Sequence, residues 1–135
     1  MKPLSPRLNG IYRAPQSLDE LRAAPDLQWT AVSLKRIRDK KALLKALALA
    51  MGFPATFCGN WDALADCLQD LSWLPDRGHV LHLQDLAGFS AAAPAEQGVL
   101  LDILGTATDY WQRQGRTFIV LVEGNSALPE FPAWK

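Results

Sequence analysis

The sequence is poor in the features that mark most specialised protein classes. No apolar run approaches the ~20 residues of a membrane-spanning helix, which argues against a spanning segment. There are two cysteines, Cys58 and Cys67, too few for a disulfide scaffold. There is no excess of either charge: 14 Lys and Arg balance 14 Asp and Glu, which argues against a general binder of nucleic acid or membrane surfaces. The opening residues, MKPLSPRLNG, lack the apolar stretch of an export signal, so a cytoplasmic location is expected. There is no internal repeat, nucleophile elbow, phosphate-binding glycine loop or Ser/His/Asp grouping. His79 and His82 stand three apart in a strand-like run and should face opposite ways. No other Cys/His spacing makes a zinc site, so neither metal nor cofactor is expected. The ends of the expected strands, around Lys35, Asp85 and Asn125, offer no acid–base pair for an enzyme.

What is present is enough for one domain: 135 residues, 49% of them hydrophobic. Leu27 to Leu34 is rich in β-formers and half alternating, and reads as a strand. Asp39 is placed to cap a helix carrying Leu43, Leu44, Leu47 and Met51 on one side, with Gly52 to end it. A second helix is expected from Asn60 to Ser72, where Trp61, Leu64, Cys67, Leu68 and Leu71 recur at helical steps. Cys67 lies on that stripe and is expected in the core, with Cys58 a small turn residue. A short strand at Val80 to Leu83 precedes a helix at about Ala95 to Gln114. The continuously apolar Thr117 to Val122 reads as a strand covered on both faces.

Helices separate every pair of strands, so the strands should be parallel. The expected fold is α/β, a small three-stranded parallel sheet packed with three or four helices in a single domain over 1–135. Residues 1–26, with four prolines, read as an irregular extension, with one short helix capped by Ser17 and Glu20. The core spans about 27–124, and 125–135 form a tail that Phe131 and Trp134 would anchor.

Zero net charge conceals an asymmetry. Lys35, Arg36, Arg38, Lys40, Lys41 and Lys45 crowd one segment. It lacks interleaved aromatics and reads as a solvated face rather than a nucleic-acid site. From Ala46 to Gln112, Arg77 is the one basic residue against eight acids. The most informative stretch is FPATFCGNWDALADCLQDLSW, residues 53 to 73. Asp62, Asp66 and Asp70 recur every four residues, so on a helix they form one ridge beside the apolar stripe. Like charges at this spacing repel, and no Lys or Arg within the helix offsets them. Such a ridge can be a plain solvated face. Here it follows a turn of aromatic and small residues, Phe57, Gly59, Asn60 and Trp61, and aromatics beside charges are typical of interface anchors.

The run N-x-D-A-L-x-D-C-L, Asn60 to Leu68, preceded by Pro54, Phe57 and Gly59, resembles the barstar family of intracellular ribonuclease inhibitors. The resemblance implies an α/β fold of the order given above and inhibition by direct blockade. In that mechanism an acidic helix and its preceding turn plug a cationic ribonuclease active site in place of RNA phosphates. It implies that Asp62 and Asp66 are the key acidic pair, with Asn60, Trp61 and Ala63 in the contact surface. Thr56 falls at a contact tyrosine, Gly59 is displaced by one place, and Ala65 replaces an aromatic. Tyr110, beside Asp109, falls near a contact glutamate. The candidate partner-binding residues are therefore Thr56, Phe57, Gly59, Asn60, Trp61, Asp62, Ala63, Ala65, Asp66, Asp70, Asp109 and Tyr110. The expected partner is a secreted or toxin ribonuclease bound one to one by a monomer. Alternatives are an immunity module against a toxin of another kind, an enzyme of unrecognised chemistry, and RNA binding through the basic segment.

Overall fold

The computed structural model describes residues 5–15, 19, 27–75, 77–123 and 132. Four strands form one sheet: β1 (Gly10–Arg13), β2 (Leu27–Ser33), β3 (Gly78–Gln84) and β4 (Phe118–Val122). Their order is β1-β4-β3-β2, and every neighbouring pair is parallel. The four described helices are α1 (Lys40–Met51), α2 (Trp61–Leu68), α3 (Leu86–Ala92) and α4 (Pro94–Arg113). Among the described residues, no helix is long and apolar enough to cross a membrane.

The sheet therefore has four strands, not the three expected from sequence. The added strand, β1, lies in the segment read as an irregular extension. It is only four residues long and sits between Pro6 and Pro15, so it is too short to carry a periodic signal. Pairing selects it instead: Gly10 to Arg13 run in register with Ile119 to Val122. Asn9 locks the entry. Its side-chain carbonyl accepts from Phe118 N at 2.7 Å, and its amide donates to Arg116 O at 2.9 Å and Thr108 O at 3.2 Å. On the outer edge of β1, Arg13 N donates to Pro132 O at 2.8 Å. The short helix expected at Ser17 to Glu20 and the anchors Phe131 and Trp134 lie outside the described residues.

Local chemistry sets the helix limits. Asp39 accepts from Ala42 N at 2.8 Å, and Gly52 ends α1 in the left-handed region at φ 66°. Leu43, Leu44, Leu47 and Met51 are buried, as their spacing requires. Asp85 turns the chain from β3 into α3 at φ 58°. Ala93 then breaks the helical path, and Pro94 opens α4.

The sheet separates two apolar clusters. All four helices bury side chains in the larger one, against Val32, Leu81, Leu83, Phe118, Val120 and Val122. The opposite face holds Val80, Ile119 and Leu121, with Leu8, Tyr12, Ala14, Leu27 and Trp29 packed on them. The histidines divide between the faces, as a strand demands. His79 lies 3.0 Å from Thr30 Oγ1 and stacks on Phe118, while His82 meets Trp29 edge-on and pairs with Glu123 at 2.8 Å. Both rings are buried, so both are structural. Burial, followed by the Arg116 charge, lowers the His79 pKa to about 4.

Candidate functional site

The acidic segment follows α1 through a turn built on aromatic packing. Phe57 N donates to Pro54 O at 2.9 Å, closing the turn. Phe53 packs against Phe57 at 5.0 Å and edge-on against Trp73 at 5.8 Å. The Trp73 indole donates to Met51 O at 3.0 Å, tying this stack to the end of α1. Phe57 is therefore half-buried against the core, while Thr56, Cys58, Gly59 and Asn60 are exposed. Gly59 has φ 74°, a conformation that costs a side-chain-bearing residue energy and glycine little. Asn60 then caps α2, its side chain accepting from Ala63 N at 2.7 Å.

Trp61 is the first residue of α2 and joins three helices. Its indole Nε1 donates to Glu96 Oε2 of α4 at 3.1 Å, and Lys40 Nζ of α1 lies 5.5 Å from its ring centre. At the other end of α2, Trp111 of α4 donates to the buried Leu68 O at 2.7 Å. Two indoles thus fasten both ends of the short helix to α4. Leu64 and Leu68 face the core, and Ala63 and Ala65 are half-buried.

Asp62, Asp66 and Asp70 are all exposed. The His82–Glu123 contact is the one ion pair among the described residues, so none of the three is neutralised by a described cation. Asp62 and Asp66 lie on α2, but Asp70 does not. The helix ends at Leu68, four residues short of the expected Ser72. The cause is Leu71, which turns left-handed at φ 53° to bury its side chain completely. Asp70 sits in the intervening turn, its N donating to Cys67 O at 3.1 Å. The acidic row therefore consists of two helical carboxylates and a third just past the helix end.

Cys67 departs from expectation as well. It is half-buried, not a core residue, because Leu64, Leu68 and Leu71 fill the inward positions. Burial raises its thiol pKa, and the charges of Asp70, Asp66 and Cys58 raise it further. The Asp66 and Asp70 carboxylates thus act electrostatically on a neighbouring side chain of α2. On α4, Asp109 is exposed, and Tyr110 is half-buried, edge-on to Trp111 at 5.0 Å. Among the described residues, no group of three His, Cys, Asp or Glu is placed to hold a metal.

Sequence reasoning did not find Glu96 or Lys40. Glu96 is separated from Trp61 by 35 positions, and nothing in the local pattern of either residue signals the contact. The surface as a whole is a capped turn leading into carboxylates that no described cation neutralises. Its chemistry is that of fixed negative charge presented to solvent.

A family model described as Barstar (barnase inhibitor) matches residues 27–123, well over half of the chain. No curated protein sequence matches it.

Proposed function

We propose that this chain, which belongs to the barstar family, is an intracellular inhibitor that blocks the active site of a cationic ribonuclease. The observation that carries this reading is the set of exposed carboxylates, Asp62, Asp66 and Asp70, with no described cation to pair with them. Like charges one turn apart weaken the helix that bears them. They are better accounted for by an external cationic partner than by the fold.

The mechanism is complementarity without turnover. Asp62 and Asp66 stand where RNA phosphates would lie against the target's Arg, Lys or His side chains. Asp70 extends the acidic row. Thr56, Phe57, Gly59, Asn60 and Trp61 supply shape beside it, with Ala63 and Ala65 leaving the helix surface low. Asp109 and Tyr110 contribute from α4. Charge steers the encounter, and the capped, doubly fastened helix meets the target already ordered. The complex is one to one, in the cytoplasm, with the inhibitor a single-domain monomer. No cofactor and no nucleic acid take part.

The test is titration of the protein into an RNA-cleavage assay with barnase-type ribonucleases. Stoichiometric loss of cleavage is expected, with a one-to-one complex in light scattering. If no ribonuclease of this type is inhibited, while affinity capture returns a toxin with another activity, the ribonuclease assignment is wrong.

A further inference from the structure

Contacts from two other helices converge on the start of α2, both on the side chain of Trp61. Trp61 stands between the cap, Asn60, and the first carboxylate, Asp62. Its indole is held by Glu96 from α4 and covered by Lys40 from α1. A half-buried indole that needs a partner for its N–H finds a charged acceptor, which makes this the stronger kind of hydrogen bond. The Lys40 ammonium adds an attraction to the ring face. The opposite charges of Lys40 and Glu96 therefore act through the one ring from two different helices.

The consequence is geometric. α2 has only eight residues, too few to hold its own direction without tertiary support. Rotation of α2 about its axis would swing Asp62 and Asp66 together. Leu64 and Leu68 hold its inner side in the core and Trp111 fixes its far end through Leu68 O, so the contacts of Trp61 are the polar tie left to set the near end that carries Asp62. The Asn60 cap satisfies backbone donors but does not by itself tie α2 to another helix.

We infer that the Lys40–Trp61–Glu96 contact is a positioning device. It sets the direction of the proposed inhibitory carboxylates, and Trp61 and Glu96 are positioning residues rather than contact residues alone. The inference rests on the proposed inhibitory surface. It adds a prediction about the free protein that does not depend on any target.

Glu96→Ala removes the acceptor, and Glu96→Gln keeps an acceptor oxygen in place. In the free protein, hydrogen exchange followed by NMR should show faster exchange of the Trp61 indole N–H and of the Ala63 and Leu64 amides in Glu96→Ala. The Trp111 indole and the β4 amides should be unchanged, and Glu96→Gln should restore most of the protection. With a barnase-type ribonuclease, Glu96→Ala should dissociate about tenfold faster, the scale of one hydrogen bond to a charged group. The salt dependence of association should stay as it is, because no carboxylate of the acidic row has been removed. Glu96→Gln should bind like the unaltered protein. Unchanged local exchange in Glu96→Ala overturns the positioning role, whatever the target does. Equal loss of protection throughout the protein also overturns it, since the contact would then serve stability alone. Local loosening without inhibition of any ribonuclease by the unaltered protein would keep the device and refute the proposed function. Asp66→Ala losing affinity while Glu96→Ala binds normally would do the reverse.

Discussion

His79 gives this fold a defined sensitivity to acid. The ring is fully buried on β3, shares a hydrogen bond with Thr30 Oγ1, and stacks on Phe118. Among the described residues its Nδ1 has no hydrogen-bond partner, so a second proton there would be unsupported. Burial and then the Arg116 charge hold its pKa near 4, against 6.5 for an unperturbed histidine. The unfolded chain therefore binds the proton more readily than the folded one. The stability this neutral ring contributes is complete above pH ~6.5 and is lost as the pH falls towards 4. At about 1.4 kcal/mol per pKa unit, the full loss is on the order of 3 kcal/mol, of which about 2.5 has gone by pH 4.5. Urea unfolding at pH 7.5, 6, 5 and 4.5 measures it. The comparison is the double variant His79→Leu with Thr30→Val, which removes the titrating ring without stranding the hydroxyl. Every other side chain is common to both proteins and cancels in the difference. The unaltered protein should lose about 2.5 kcal/mol more than the double variant between pH 7.5 and 4.5. Parallel stability curves across that range would refute the neutral, buried assignment of His79.

Other outcomes follow from the site. Asp66→Ala should weaken binding to the target ribonuclease at least tenfold, since it leaves a desolvated cation unpaired. Its melting temperature should stay level or rise slightly as repulsion along the acidic row is relieved. Asp102→Ala, exposed on α4, should bind normally, and equal affinities of the two in surface plasmon resonance would make α2 a plain solvated face. Asn60→Ala should cost about 1 kcal/mol in denaturant unfolding through loss of the cap bond to Ala63 N. Asp66→Asn and Asp70→Asn together should lower the Cys67 thiol pKa, read as faster reaction with an aromatic disulfide at fixed pH, because both charges now raise it. Raising salt from low to physiological levels should slow association with the target far more than it speeds dissociation.

The elements legible in the sequence are those whose signals are local and repeated. The Asp39 cap, the Leu43–Met51 stripe and Gly52 delimit α1 almost to the residue, and the unbroken apolar run at 117–122 marks a strand buried on both faces. Where tertiary contacts decide, the sequence was silent or misleading. Leu71 fits the helical stripe of α2, yet burying it requires a left-handed turn that ends the helix three residues earlier. Cys67 fits the same stripe but is displaced from the core by its leucine neighbours. β1 exists because β4 offers it an edge. The motif from Asn60 to Leu68 pointed to the acidic surface, whereas the contacts of Trp61 join residues from three helices and leave no trace in any one segment.

The docking of β1 has a kinetic consequence. Asn9 and Phe118, which close the entry to β1, are 109 positions apart. Bringing such distant segments together carries one of the larger loop-closure penalties this chain can incur. By contrast, α1 and α2 form from neighbours, and the α2–α4 contacts span shorter separations. The short edge strand should therefore join after β2, β3 and β4 have assembled with their helices, and it should be among the first elements to detach when the protein opens locally. Refolding followed by pulsed hydrogen exchange should protect Ile119 and Leu121, whose amides face β3, before Tyr12 and Ala14. Substitution of Asn9 should speed unfolding while leaving the folding rate nearly untouched.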